Sequence, residues 1–157
     1  MKITIPLLTI LLLLTVTVVQ AEAGLINVSS QFGVQETADR FVAAVEKAGL
    51  KVFNRIDHAA GAAKVDKSLR PTQLIIFGSP KVGTALLTSD QRIGIDLPLK
   101  ALAWQDAEGK VWLSYNSPDY LFNRFAINDR AKGEKEDHRC FSKTLSECHP
   151  TLRVSSR

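Results

Sequence analysis

The chain has 157 residues, of which 45% are hydrophobic and 23% charged, and its formal net charge at pH 7 is +4. A chain of this length and hydrophobic content can bury the core of one domain, which excludes a large multidomain architecture. The positive charge is a mild excess without a basic block. It argues against nucleic acid as the partner, and leaves a small anion, an anionic surface or simply a solvated face.

The N-terminal segment, residues 1–23, has the features of a cleavable secretory signal peptide. Lys2 precedes an apolar run of 17 residues from Ile3 to Val19. Ala21 and Ala23 then place small residues at the two positions that signal peptidase reads. The alternative is a retained membrane anchor, but this run is short for about 30 Å of hydrocarbon. We therefore expect an exported protein, periplasmic or secreted, with no stable membrane insertion after cleavage.

The spacing of apolar residues after residue 23 predicts strands and helices in alternation. Ala38, Phe41 and Val45 recur at helical spacing, whereas Gln73–Phe77 is a compact apolar run typical of a buried strand. Gly109 suits the turn of a β-hairpin. The predicted elements in chain order are strand Leu25–Val28, helix Glu36–Ala48, strand Leu50–Ile56, short helix His58–Lys64, strand Gln73–Phe77, short helix Val82–Ser89, hairpin strands Ala101–Gln105 and Val111–Tyr115, and a helix that begins at Ser117.

This order predicts an α+β fold. We expect a single small domain over residues 24–128, with one mixed sheet that includes the antiparallel hairpin and with helices packed on one face. Phe53, Trp104 and Trp112 occupy strand positions that alternate with the core. They are expected on the open face of the sheet, as an apolar patch that favours a homodimer.

Residues 129–157 form a charged, mostly irregular C-terminal tail that carries both cysteines of the chain. In an oxidising compartment Cys140 and Cys148 are expected to form a disulfide. Zinc binding with His138 and His149 is the alternative, although seven residues between the cysteines is wider than zinc sites favour. Free or intermolecular thiols are a third possibility.

Four blocks of residues carry a family resemblance. They are Phe53–Ala62, Pro71–Thr84, Asp96–Lys100 and Val111–Leu121. In this order and spacing the chain resembles the family catalogued as domain of unknown function 302, over about residues 37–125. The resemblance implies a small bacterial α+β domain that tends to pair as a dimer, and it implies no particular reaction.

His58 is the central candidate for a functional site. It is the only histidine before the tail, and it lies where a strand gives way to a short helix. In a functional interpretation it binds a small ligand or acts as a general acid or base, and it is the one weak candidate for a metal ligand. In a structural interpretation its ring caps a backbone carbonyl and fills a corner of the core. Asp96, Lys100 and Tyr115 are the candidate ligand-binding partners of His58.

Two functional classes remain from the sequence. The favoured hypothesis is an exported binding or accessory protein, homodimeric, that holds a small ligand, anion or metal near His58. The alternative is a small enzyme that uses His58 as general acid or base, and it is less favoured because no second polar catalytic group is recognisable beside that histidine. The residue pattern specifies no cofactor.

The signal-peptide hypothesis makes a direct prediction about the processed chain. Because signal peptidase accepts small residues at Ala21 and Ala23, the mature protein should begin at Gly24. N-terminal sequencing of protein from the exported fraction checks this. Recovery of intact Met1 in a membrane fraction would show that the segment is an anchor instead.

Overall fold

The computed structural model describes residues 24–127. Every element that the sequence predicts is present there, and a 3-10 helix that was not predicted joins them. The elements are β1 (Leu25–Ser30), α1 (Val34–Lys47), β2 (Lys51–Asp57), α2 (His58–Ala63), β3 (Thr72–Gly78), α3 (Pro80–Ser89), the 3-10 helix (Gln91–Ile95), β4 (Leu99–Gln105), β5 (Val111–Asn116) and α4 (Pro118–Arg124).

The five strands form one sheet in the order β1-β5-β4-β3-β2. The structure confirms the α+β class that the sequence predicts. All four strand pairings are antiparallel, however, so the sheet is antiparallel and not mixed. Parallel neighbours need a crossover connection that lies on the sheet, usually a helix. Among the strands that are neighbours both in the chain and in the sheet, β2 and β3 are joined through α2, and β3 and β4 through α3. α2 buries no residue and α3 buries only Leu86, so neither acts as such a crossover.

The core lies between the sheet and α1, which runs from one edge strand to the other. Val34, Ala38, Phe41 and Val45 fall on one side of this helix and are buried. Phe41 packs edge-on against Phe77 of β3, with ring centroids 5.2 Å apart and planes at 83°. This spacing of three to four residues is what lets one helix bury a continuous stripe. Helices on one face, the arrangement expected from the sequence, are confirmed.

Helix starts and the N-terminal strand are fixed by short local contacts. The Ser117 side chain accepts from the Tyr120 backbone N–H at 3.1 Å and caps α4, with Pro118 in its first turn. The Ser117 backbone N–H donates to Gly24 O at 2.6 Å, just before β1 begins. Gly24 has φ +88°, and a Cβ there would lie 2.4 Å from Tyr120 ring atoms. Only glycine fits this junction.

A bulge in β2 interrupts the alternation of the strand at one aromatic residue. Val52 pairs with Phe77 and Asn54 with Ile76, so Phe53 is the extra residue. A single extra residue breaks the alternation of faces along a strand. The Phe53 ring lies near Lys51 Nζ and Gly78 at the end of the sheet, where it lines an apolar cavity next to α3. Trp104 and Trp112 pair at the other end of the sheet.

Candidate functional site

The sheet face opposite α1 carries a broad shallow groove, which we call the open face. The groove is lined only by strand residues and by Asp106 of the β4–β5 turn. Trp104 and Trp112 stand directly opposite each other on neighbouring strands. Both lie on the open face, as the sequence predicts. The register places on this face Leu25, Asn27, Ile56, Leu74, Ile76, Lys100, Leu102, Trp104, Trp112 and Ser114.

Both indole N–H groups of the open face are satisfied within the chain. Trp104 Nε1 donates to Ser114 Oγ at 2.7 Å, and the Ser114 hydroxyl donates to Asn27 Oδ1 at 2.5 Å. Trp112 Nε1 donates to Asp106 Oδ2 at 2.7 Å, and this bond is the main reason that the pKa of the Asp106 carboxyl lies below its usual value. The Trp104 ring therefore presents mainly carbon to whatever covers it, whereas the Lys110 ammonium lies 3.9 Å from the centroid of the Trp112 ring.

Asp96, Lys100 and Tyr115, three of the four residues selected from the sequence, line one small cavity of about 60 Å³. Lys100 Nζ donates to the Asp96 backbone carbonyl at 3.0 Å. The Asp96 carboxylate is 15% exposed and forms an ion pair with Arg124 at 3.3 Å, although its Oδ2 lies outside hydrogen-bonding geometry. The space suits one or two waters better than an organic ligand.

His58 does not join these three residues. Lys100 shares its row of the sheet with Asn54 of β2, and His58 lies four residues further along that strand and helix. With a rise of about 3.3 Å per residue and strands about 4.8 Å apart, His58 lies roughly 16 Å from Lys100. Asp57 is also engaged, because its side chain accepts from Ala60 N at 2.9 Å and caps α2. The His58 side chain is exposed, so it fills no corner of the core.

A polar cluster between α1 and the sheet was missed from the sequence. Arg55 Nε donates to Gln73 Oε1 at 2.7 Å, and Gln73 Nε2 donates to Gln35 Oε1 at 2.7 Å. Arg55 also pairs with Asp39, and the hydrogen bond from its guanidinium lowers the pKa of the Asp39 carboxyl. Because these groups satisfy one another, the cluster fastens α1 to β2 and β3. Its residues are distant in sequence, and no local pattern marks them.

A second missed feature is an apolar cavity of about 250 Å³ between α3 and the end of the sheet, which we call the α3 cavity. In the sequence the Gly78–Thr84 stretch indicates only an ordinary turn into a helix. Phe53, the extra residue of the β2 bulge, contributes to the wall of the cavity. A bulge is not visible in an alternation pattern.

The structure bears on the metal and membrane expectations only within residues 24–127. Within residues 24–127, no group of three histidine, cysteine or acidic side chains could hold a metal ion. None of the helices in this range is long and apolar enough to cross a membrane. The signal peptide and the Cys140–Cys148 disulfide lie outside the described residues.

The exposure of His58 predicts that its removal is harmless to folding. His58→Ala should change the free energy of unfolding by no more than about 0.5 kcal/mol, as for other surface substitutions. Leu113→Ala, at a fully buried position, is the matched destabilising control and should cost about 2–5 kcal/mol. Urea denaturation of both variants measures this. A loss above 1 kcal/mol in His58→Ala would mean that the imidazole supports the fold.

Three curated bacterial proteins are similar to this chain over 106 residues, each at 46% identity. They are "Fluoride-specific ion channel FluC 1" of Brucella suis biovar 1, the protein of the same name of Brucella abortus biovar 1, and "Fluoride-specific ion channel FluC 2" of Brucella melitensis biotype 1. The match takes in 68% of this chain but only 42%, 39% and 39% of those proteins. The chain therefore spans about two-fifths of the length of the curated relatives that it matches.

A solved structure shares the fold. The crystal structure of an uncharacterized conserved DUF302 protein from Bacillus stearothermophilus superposes with a TM-score of 0.70 at 18% identity, covering 83% of this chain and 98% of that one. The family model described as "Domain of unknown function DUF302" matches residues 26–140. That match runs past the expected domain end at Asn128 and reaches Cys140. The chain belongs to the DUF302 family.

Proposed function

We propose that this chain is an exported accessory protein without catalytic activity, which works by pairing through the open face of its sheet with a second copy of itself. The observation that carries the proposal is that face: a row of apolar strand residues with two tryptophans whose N–H groups are already paired. Large apolar patches on otherwise polar domains mark interaction surfaces. Tryptophan is also enriched among the residues that dominate binding.

The size of the open face is consistent with a weak dimer. Five strands about 4.8 Å apart and six residues of about 3.3 Å each give roughly 24 by 20 Å, or about 480 Å² before side-chain relief is counted. Specific interfaces commonly bury about 800 Å² on each partner, and smaller ones are transient. We therefore expect association in the micromolar range.

Charged groups lie at both ends of the open face. Lys100 lies at the start of β4, and Asp106 follows immediately after its end. Lys110 Nζ lies 3.9 Å from the centroid of the Trp112 ring, beside Asp106. A contact between the open faces of two copies is isologous, and a contact of this kind closes as a dimer.

The enzyme alternative has less support. An acid–base histidine normally has a partner that orients it. Here His58 is separated from Asp96, Lys100 and Tyr115, and neighbouring Asp57 is occupied as a helix cap. For the same reason a ligand or metal at His58 is a weaker proposal than pairing through the open face.

Export is proposed from the sequence of residues 1–23. Lys2, the apolar run Ile3–Val19 and the small residues Ala21 and Ala23 are the pattern of a cleavable signal peptide. This pattern supports the proposal that residues 24–157 work in the periplasm or outside the cell.

Leu102→Glu tests the pairing proposal. Leu102 lies in the middle of the open face, half-buried in the single chain, so a charge there can be hydrated in a monomer but not in a dimer. An unpaired buried charge costs about 3 kcal/mol or more, which weakens dimerisation at least about 100-fold. Sedimentation velocity from 5 to 200 µM should show a wild-type dimer that dissociates on dilution and a monomeric variant.

Val65→Glu is the matched control, because it adds the same charge at a site that is 65% exposed and outside the open face. It should dimerise like wild type. Near-ultraviolet circular dichroism confirms that both variants are folded. A wild-type chain that stays monomeric at 200 µM contradicts the proposal, as does a Leu102→Glu variant with unchanged association.

We propose as a second function that the domain assists a fluoride-specific ion channel. The supporting observation is that the matched segment is about two-fifths of three proteins so named. A domain that shares a chain with a channel is typical of an accessory module. The whole chain would then act beside a membrane partner.

A complementation assay tests this second function. Removing the matched segment from the Brucella suis protein should reduce fluoride efflux from proteoliposomes, measured with a fluoride electrode. Adding the present chain, residues 24–157, should restore part of the loss, and Val65→Glu should do the same. Fluoride efflux that is insensitive to removal of the segment, with equal channel incorporation, would rule the role out.

A further inference from the structure

The α3 cavity lies between α3 and the end of the sheet, and it shares no lining residue with the groove of the open face. Phe77 of its wall also contacts Phe41 of α1. Its volume is about 250 Å³ and it opens to solvent on one side. Its principal apolar lining residues are Leu50, Phe53, Phe77, Val82, Leu87 and Leu97.

The cavity exists because α3 is held away from the sheet. Leu86 is the only α3 residue that is fully buried. Three glycines, Gly78, Gly83 and Gly94, contribute backbone to the wall and no side chain to fill it. A Cβ on Gly83 would meet no atom within 4 Å, whereas one on Gly94 would lie 3.1 Å from Leu87 Cδ2. There is therefore room for an added side chain at Gly83 but little at Gly94.

Protein interiors are normally packed as densely as organic crystals, and voids larger than a water are few. An apolar space of this size offers water no hydrogen-bond partners, so water is a poor occupant. Among the described residues, the polar side chains that line it are the hydroxyls of Ser79 and Thr84. The nearest ammonium recorded beside its wall is that of Lys51, 5.7 Å from the centroid of the Phe53 ring. A charge held inside the cavity would lose its hydration without compensation.

We propose that the α3 cavity is a binding site for an uncharged, apolar small molecule of about ten non-hydrogen atoms. The size follows from comparison with an engineered apolar cavity of about 150 Å³ that binds benzene. Scaling by volume gives a bicyclic aromatic ring system or a hydrocarbon chain of similar bulk. The site is independent of pairing through the open face, because the cavity and the groove of that face share no lining residue.

Naphthalene, with ten carbon atoms and no charge, is the probe. It is titrated into the purified mature chain while methyl resonances of leucine and valine are followed by NMR. Shifts should concentrate on Val82, Leu86 and Leu87, with Leu102 of the open face unaffected. Saturation is expected with a dissociation constant of about 0.1 mM or tighter, reasonable for a ligand of this size.

Gly83→Leu should fill the cavity and weaken naphthalene binding more than tenfold. Gly83→Ala is its matched control, since a single methyl meets no neighbour and leaves most of the space. Val82→Phe is a second filling variant, which keeps the test decisive if Gly83→Leu does not fold. Leu102→Glu should bind naphthalene as wild type does, even if it is monomeric.

Two outcomes would overturn the proposal. They are naphthalene shifts confined to the open face, and binding that survives both filling variants. Neither outcome bears on the oligomeric state.

Discussion

One helix has to cover a five-stranded sheet, and it can cover only one of the two faces. Because α1 crosses from the β1 edge to the β2 edge, its apolar stripe meets β2, β3, β4 and β5 in turn. All of the fully buried aromatic packing, such as Phe41 against Phe77, lies on that side. The remaining helices are too short or too shallowly docked to protect the other face. Both the open face and the α3 cavity follow from this shortage of covering helix.

The sequence was informative wherever structure depends on near neighbours. Alternation along β4 and β5 correctly placed Trp104 and Trp112 on the face opposite Ala103 and Leu113. Helical spacing located α1, and Asp57 and Ser117 were recognisable as caps. Each of these depends on side-chain direction within a few residues. That information is local, and a single sequence contains it.

What depends on distant parts of the chain was not predictable in the same way. A bulge depends on the register with the partner strand, so alternation alone does not show that Phe53 is the extra residue of β2. The strand order separated His58 from Lys100, and joined Arg55 to Asp39. Asp96, Lys100 and Tyr115 do meet, because Asp96 closely precedes β4 and β5 is its hairpin partner. Three of the four candidate residues are therefore neighbours in the fold.

The pairing of β1 has a consequence for the order in which the domain can be completed. Leu25 near the N-terminus pairs with Asn116 near the end of the described chain. The first strand to leave the ribosome, or to cross a membrane, must wait for the last strand before it has a neighbour. Contacts between such distant residues form late and slow folding. β1 therefore has no neighbouring strand until β5 has emerged, so the edge of the sheet that it forms is the last to close.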